Sequence, residues 1–331
     1  MRYGGIEAGG TKWVCAVADG AGLPLETETF PTTGPEETIS LATRFFTANG
    51  PVDAMGVGAF GPLDIRPTSP TWGTITTTPK PGWENLDLVS ALRSGIEVPL
   101  ALDTDVNAAA LGEWRWGAAA GLDTFFYITV GTGIGGGAVM NGQLLHGLLH
   151  PEFGHMRIPH DRVRDPFAGI CPYHGDCLEG LASGEAIRRR WGRAGQQISD
   201  PGPWELEAEY LAHALVNMIC IGSPQRIIIG GGVAKQPTLL PMARQRLSDL
   251  LAGYLRVPEL TQPDKLERYI VTPSLGDRAG VVGAIELARD AVPDNTDPDR
   301  PGLGSTVPGK TAPGNTGPSN TGSAAGAAGP G

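Results

Sequence analysis

Uninterrupted apolar runs are scarce in this sequence. No stretch approaches the ~18 to 20 apolar residues that a membrane-spanning helix needs. The opening segment, MRYGGIEAGGTKWVCAV, places Glu7 and Lys12 among its apolar residues, unlike a secretory signal peptide. The sequence therefore predicts a cytoplasmic protein with no membrane partner.

Basic charge is also in short supply. Lys and Arg number 25 against 35 Asp and Glu, which gives a formal net charge of -10 at pH 7. This surplus of negative charge disfavours binding to a polyphosphate backbone, although it does not exclude one small bound nucleotide. Nucleic acid is therefore not an expected partner.

Cysteine is rare as well, with 4 residues in a chain of 331. Cys15 and Cys220 lie in the apolar runs WVCAV and NMICIG, where a lone thiol behaves as a small core residue. A disulfide framework is not expected in a reducing compartment. Cys171 and Cys177 stand with His174 in the short segment ICPYHGDC. That segment is either a metal site or a surface loop with reduced thiols, and its spacing alone leaves both open.

The order of the apolar runs indicates an α/β fold. A chain of 331 residues fits two packed lobes better than one core, because single cores stop growing near ~250 to 300 residues. Short apolar runs predict strands, and the longer segments between them predict helices. The predicted strands are YGGIEAG, WVCAVAD, AMGVGAF, PLALDTD, FFYITVG, GGAVMNG, RIIIGGG and RYIVTPS. The predicted helices are PEETISLATRFFTANG, NAAALGEWRWGAAAG, SGEAIRRRWGRAG, PWELEAEYLAHALVNMICIG, TLLPMARQRLSDLLAGYL and GDRAGVVGAIELARDA. Each half begins with a strand, a glycine-rich turn and a strand, which is a coarse internal similarity.

The C-terminal segment, residues 291–331, has a different composition. It mixes Pro, Gly, Ser, Thr and Asn with almost no large apolar residues. Such a segment cannot bury enough apolar surface to offset the entropy of ordering. We expect a disordered tail, with a partner-binding arm as the less favoured alternative.

Three glycine clusters follow predicted strands: EAGGTK, VGTGIGGG and IIIGGGVA. Glycine lets backbone N–H groups approach an anion without a Cβ in the way, and a following Thr or Lys adds a hydroxyl or a cation. Phosphate is the natural ligand, although a tight hairpin without any ligand uses the same glycines. No acidic residue follows VGTGIGGG at the spacing of a dinucleotide-binding fold, and EAGGTK lacks the spacing of a P-loop. The pattern favours a nucleotide held between two lobes that each supply one phosphate hairpin.

Two carboxylates end a predicted strand in the segment PLALDTDVN. Asp103 and Asp105 stand directly before a helix that is predicted to start near Asn107. A carboxylate at the C-terminal end of a strand can project into a cleft, where it can orient and deprotonate the hydroxyl that attacks a phosphoryl group. The alternative is that Asp105 caps the helix.

The chain resembles the ROK family of repressors, uncharacterised reading frames and sugar kinases. The motifs that carry the resemblance, in order, are GGIEAGGTK, DTDVNAAALGE, VGTGIGGG, PEFGH and CPYHGDCLEG. Together they are most similar to the bacterial fructokinase branch, over roughly residues 4 to 290. The resemblance implies a two-lobed actin-like ATPase (ribonuclease H-like) fold with a central cleft for ATP and sugar. It implies an ATP-dependent hexose kinase that makes fructose 6-phosphate. A ROK kinase for glucose, mannose or an acylated amino sugar is the alternative, and a non-catalytic sugar-sensing regulator is less favoured.

The same resemblance assigns lobes and residue roles. It implies a small lobe at residues 1–115 and a large lobe at 116–290, with a last helix at about 276–290 that can pack back on the small lobe. Asp105 matches the catalytic base. The residues that match sugar contacts are Glu152, His155 and Glu179, with Thr104 directly before the base. The residues that match the phosphate segments are Gly9, Gly10, Thr11, Lys12, Gly131, Thr132 and Gly133, and Gly231 and Gly232 match a segment near the adenosine. Many members have Asn at the position of Thr104 and Asp at that of Glu7. Thr lacks the paired donor and acceptor of an amide, which favours fructose over glucose or mannose.

The resemblance extends to a zinc site. The implied ligands are His155, Cys171, His174 and Cys177. Two thiolates and two imidazoles satisfy tetrahedral Zn²⁺ in a structural site. His160 is a rival ligand by its distance in sequence, and His155 is preferred because the family match falls there. We expect zinc to order the loop 157–177 and thereby to hold Glu179, and Mg²⁺ to accompany ATP. Kinases of this family are often dimers, so the resemblance also implies a homodimer, although no apolar stripe in the sequence identifies an interface.

Overall fold

The computed structural model describes residues 1–20 and 23–292. The tail predicted for residues 291–331 therefore lies, from residue 293 onward, outside the described residues. The strands are β1 (Tyr3–Ala8), β2 (Lys12–Ala18), β3 (Glu26–Pro31), β4 (Ala54–Ala59), β5 (Thr74–Ile75), β6 (Leu86–Asp87), β7 (Leu100–Thr104), β8 (Phe125–Val130), β9 (Ile134–Met140), β10 (Gln143–Leu144), β11 (Arg226–Gly230) and β12 (Ile270–Val271). The helices are α1 (Pro35–Asn49), α2 (Leu88–Arg93), α3 (Asp105–Trp116), α4 (Leu178–Ala182), α5 (Gly184–Trp191), α6 (Pro201–Gly222), α7 (Leu239–Leu251), α8 (Pro258–Thr261), α9 (Pro263–Tyr269) and α10 (Ala279–Ala291).

Two sheets of the same design organise these elements. The first has the strand order β3-β2-β1-β4-β7, and the second has the order β10-β9-β8-β11-β12. In the first sheet, β1 pairs antiparallel with β2 and parallel with β4. In the second, β8 pairs antiparallel with β9 and parallel with β11. The coarse internal similarity of the sequence thus corresponds to two sheets that share one topology.

Helices α3 and α10 lie between the two sheets. The central core cluster combines residues of both helices with β8, for example Leu111, Ile285 and Phe125, all fully buried. A second cluster around Trp13 and Trp83 covers the outer face of the first sheet, and a third around α6 and α7 covers the outer face of the second. The fold is therefore layered, with each sheet covered by helices on both faces.

Glycine allows α10 to approach its neighbours closely. A Cβ on Gly56 of β4 would lie 1.8 Å from the carbonyl oxygen of Ala284, and a Cβ on Gly283 would lie 1.6 Å from that of Ala108. A Cβ on Gly112 of α3 would lie 2.4 Å from the Ala279 oxygen. The last helix therefore follows the second sheet in sequence but packs by backbone contact on the first sheet and on α3.

Strand β3 is absent from the sequence prediction. Its residues ETETFP are exposed except for one buried position, because β3 is the edge strand of its sheet. An edge strand with few buried side chains has no apolar alternation to indicate it. Within residues 1–20 and 23–292, no helix has both the length and the apolar composition to cross a membrane.

Candidate active site

Two glycine hairpins meet between the sheets. Gly9, Gly10 and Thr11 form the turn from β1 to β2, and residues 131–133 form the equivalent turn from β8 to β9. The Gly131 N–H donates to the Gly133 carbonyl at 2.9 Å, which closes the second turn. The Thr11 hydroxyl lies 3.5 Å from that of Thr132. The structure therefore brings together the two predicted phosphate segments, one from each sheet.

A cleft of about 210 Å³ opens beside these hairpins. Its lining includes Asp105 and Lys12 and the predicted adenosine segment, Gly231 and Gly232. Gly231 has φ +90°, and a Cβ there would lie 2.3 Å from the Val130 carbonyl oxygen, so only glycine fits. The remaining lining residues are Glu7, Val106, Ala109, Tyr127, Thr129, Gly276, Asp277, Ala279 and Gly280. Sequence reasoning missed Tyr127 and Asp277, because no local motif marks either of them.

Asp105 is the first residue of α3, and its carboxylate faces the cleft. Thr104 is the N-cap, since its hydroxyl accepts the Asn107 N–H at 3.1 Å. Capping by Thr104 leaves Asp105, which accepts the Val106 N–H at 2.9 Å, oriented towards the cleft. Burial raises the pKa of Asp105 to about 6. Asp105 is therefore not the N-cap of α3, the alternative that the sequence left open.

Asp103, in β7 two residues before Asp105, is fully buried. Its carboxylate accepts from Asn107 at 2.8 Å and from the Thr104 N–H at 2.7 Å, and lies 2.8 Å from His146 Nε2. Burial alone would raise the pKa of Asp103, but the His146 charge and these hydrogen bonds hold it below its ordinary value. Although burial opposes protonation, the Asp103 charge raises the pKa of His146 above its ordinary value. This pair, in which Asp103 is buried and His146 is partly exposed, fixes the end of β7 from which Asp105 projects.

The carboxylates predicted to contact sugar lie near Asp105. Glu179, in the first turn of α4, accepts the Ile134 N–H at 2.9 Å. Gly133 passes so close that a Cβ there would lie 2.7 Å from Glu179 Oε2. Glu152 has its pKa raised to about 7 by burial and then by the charges of Glu179 and Asp105. These interactions place Glu152, Glu179 and Asp105 in one negatively charged region.

His155, Cys171, His174 and Cys177 form a cluster. Their potential ligand atoms all lie within 4.8 Å of one another. His155 Nδ1 is 3.7 Å from Cys171 Sγ and 3.5 Å from Cys177 Sγ, and His174 Nδ1 is 3.5 Å from Cys171 Sγ. A tetrahedral Zn²⁺ with bonds of about 2.3 Å to sulfur and 2.0–2.1 Å to nitrogen separates the two atom types by about 3.6 Å. The donor set and its spacing therefore fit a structural zinc ion.

His160, the rival ligand, lies outside this cluster. Its Nδ1 is 3.2 Å from Asp176 Oδ2, and its Nε2 is 3.0 Å from the Asp165 carbonyl oxygen. The structure thus groups His155, and not His160, with Cys171, His174 and Cys177. The other nitrogen of His155, Nε2, lies 4.0 Å from Glu152 Oε2, so the cluster adjoins the predicted sugar site.

Comparison with known proteins agrees with this geometry. The chain is 45% identical to a fructokinase of Zymomonas mobilis, over 86% of this chain and 96% of the relative. It is 42% identical to a fructokinase of Pediococcus pentosaceus, over 88% of this chain and 99% of the relative. A ROK family glucokinase from Streptomyces griseus, solved with glucose and AMPPNP, superposes with a TM-score of 0.69 at 26% identity, over 87% of this chain and 99% of that chain. The likeness confirms the predicted two-lobed actin-like ATPase fold. Since the family model for ROK proteins matches residues 3–291, nearly the whole described chain, this protein belongs to the ROK family.

Proposed function

We propose that this chain is an ATP-dependent fructokinase that transfers the γ-phosphoryl group of ATP to the 6-hydroxyl of fructose. The observation that carries the proposal is Asp105, which faces a cleft beside two glycine hairpins whose Thr11 and Thr132 hydroxyls lie 3.5 Å apart. Phosphoryl transfer needs such an arrangement, a carboxylate for the acceptor hydroxyl beside amides for the phosphates. Two relatives named fructokinase, 45% and 42% identical, make fructose the favoured hexose.

Asp105 acts as the general base in this proposal. It accepts the proton of the 6-hydroxyl while that oxygen bonds to the γ-phosphorus and the bond to the bridging oxygen of ADP breaks. With its pKa raised to about 6, the carboxylate is mostly ionised at pH 7 and still basic enough to take a proton in the transition state. A positioned base contributes about 10² to 10⁴-fold to the rate.

The glycine hairpins and Lys12 bind the phosphates. The Gly9 and Gly131 N–H groups close the two turns by donating to the carbonyls of Lys12 and Gly133. The N–H groups of residues 10, 11, 132 and 133 are left for anionic oxygens, and Lys12 lines the cleft. Gly231 and Gly232 border the adenosine. Glu7 and Asp277 of the cleft are the carboxylates that would hold Mg²⁺, directly or through water, and the ion would supply positive charge to the phosphate oxygens of ATP.

Glu152, His155 and Glu179 bind the sugar hydroxyls in this proposal. All three belong to the negatively charged region around Asp105 or adjoin it. Carboxylates accept hydrogen bonds from sugar hydroxyls, and an imidazole N–H can donate one. Thr104, predicted as a further contact, is 3% exposed and uses its hydroxyl as the helix cap, so its part in sugar binding stays a prediction.

Zinc at the histidine and cysteine cluster has a structural role in this proposal. Cys177 directly precedes α4, whose second residue is Glu179, and His155 joins the cluster to Glu152. With all four positions filled by protein, the ion has no open site for substrate. The metal therefore holds the loop 157–177 and the sugar carboxylates in place.

Two further features are part of the proposal. We divide the chain at residue 115 into a small lobe, 1–115, and a large lobe, 116–290, with α10 packed back on the small lobe. We place the enzyme in the cytoplasm, where ATP is abundant and the thiols of the cluster stay reduced.

An ADP-release assay over a panel of hexoses tests the function. Fructose should give the highest kcat/KM, and the isosteric variant Asp105→Asn should bind ATP normally but lose about 10² to 10⁴-fold in kcat. A variant with near wild-type kcat would show that Asp105 is not the base. Highest activity with glucose, mannose or an acylated amino sugar would assign the alternative substrate, and sugar binding without any ADP release would indicate a sensor.

A further inference from the structure

Two histidines between β10 and the His155 turn reach across to the first sheet. His146 Nε2 lies 2.8 Å from Asp103 at the end of β7. His150 Nε2 accepts the backbone N–H of Leu63, which follows β4, at 3.0 Å. The segment that leads from the second sheet to Glu152 is therefore held to the small lobe at two points. No local motif in the sequence indicates either contact.

The Leu63 N–H determines the tautomer of His150. Because that donor requires a lone pair on Nε2, the neutral ring carries its proton on Nδ1. Nδ1 lies 3.4 Å from Glu152 Oε1 and 3.4 Å from the Pro151 carbonyl oxygen. The His150 side chain is only 4% exposed, so water competes little for this N–H. At 3.4 Å both contacts are longer than a usual hydrogen bond, which leaves room for one of them to shorten.

We propose that His150 is a positioning residue that couples the small lobe to the sugar-binding carboxylate of Glu152. The Leu63 N–H holds the ring, and the Nδ1–H of the ring orients the carboxylate. Leu63 and Glu152 belong to different lobes, so closure of the lobes over a sugar would shorten the contact between Nδ1 and Glu152. This inference rests on the proposed function, in which Glu152 binds the sugar.

A simpler role for His150 would be to fill space. A Cβ on Gly61 would lie 3.3 Å from His150 Cε1, so the ring packs closely on this part of the small lobe. Two substitutions separate packing from positioning. In His150→Asn the amide nitrogen replaces Nδ1 as a donor to Glu152, but the acceptor for Leu63 is lost. In His150→Gln the amide oxygen replaces Nε2 as that acceptor, but the donor to Glu152 is lost. Asn is the smaller side chain and leaves the larger gap.

The two variants should show opposite patterns in steady-state kinetics and thermal unfolding. We expect His150→Gln to keep its melting temperature and to raise KM for fructose about 3- to 10-fold, with KM for ATP unchanged. We expect His150→Asn to melt earlier, because the buried Leu63 N–H loses its acceptor, but to keep KM for fructose within about 2-fold of wild type. A larger rise in KM for fructose in His150→Asn than in His150→Gln would overturn the proposal in favour of packing.

A double-mutant cycle keeps the test decisive if His150→Asn does not fold. In a Glu152→Ala background, adding His150→Gln should leave KM for fructose unchanged, because the side chain that the histidine orients is already gone. Additive effects of the two substitutions would refute the coupling. Failure of the proposed function is a different result, since the wild-type protein would then release no ADP in the presence of fructose and ATP.

Discussion

Gly133 connects the second glycine hairpin to the carboxylate of Glu179, which we propose to bind the sugar. A Cβ at this position would lie 2.7 Å from Glu179 Oε2, which also accepts the Ile134 N–H at 2.9 Å. The tip of a glutamate side chain can rotate away, so Gly133→Ala should keep the fold. The carboxylate then loses its bond to Ile134, and a hydrogen bond to a charged group is worth about 1.5–3 kcal/mol. If the free energy of sugar binding decreases by the same amount, KM for fructose rises about 10- to 150-fold.

The assay is steady-state ADP release with fructose and ATP varied in turn, together with thermal unfolding of each variant. Gly131→Ala is the matched control, because its Cβ would meet only the Gly133 carbonyl oxygen, at 3.9 Å. Both variants can change KM for ATP, but only Gly133→Ala should change KM for fructose. Equal values of KM for fructose in the two variants would refute the reasoning that Glu179 is displaced.

Three further predictions concern the metal, the base and the helix packing. Chelation of zinc, verified by metal analysis, should abolish fructose phosphorylation while nucleotide binding persists, and full activity of a protein shown to be metal-free would refute the structural role of the cluster. Because Asp105 must be ionised to accept a proton, kcat/KM should fall as the pH drops below its pKa of about 6, and a flat profile from about pH 5 to 8 would exclude it as the base. Gly283→Ala, whose Cβ would lie 1.6 Å from the Ala108 oxygen, should lower the free energy of unfolding by about 3 kcal/mol or more. Gly202→Ala, a helix position with nothing within 4 Å, is its control and should not destabilise; equal melting temperatures for the two variants would contradict the backbone contact.

Local patterns in the sequence predicted much of the molecule. The glycine hairpins, Asp105 at the end of β7 and the pair of cysteines around His174 all depend on residues close together in the chain. Their geometry is set by backbone conformation and spacing, which a sequence displays directly. His155 could be added only through the family resemblance, because sequence distance favoured His160 equally.

Contacts between distant residues could not be predicted in this way. Glu113 near the end of α3 accepts the N–H groups of Ser274 at 3.0 Å and Leu275 at 2.7 Å, 161 and 162 residues away. The link from Leu63 to His150 spans 87 residues, and that from Asp103 to His146 spans 43. Such pairs follow from the packing of two sheets against α3 and α10, and a single sequence carries no signal for them.

The backbone contact of α3 with α10 has a mechanical consequence. Where glycines remove the side chains, there are no rotamers to absorb a displacement, so we expect the two helices to rotate about their point of contact rather than to slide or separate. Asp105 lies at one end of α3, and Glu113, which holds Ser274 and Leu275, lies towards the other. A small tilt of α3 would therefore displace the carboxylate of Asp105, the proposed base, and the backbone next to Asp277 in the same movement. The angle of one helix would then set the distance between the proposed base and a triphosphate bound in the cleft.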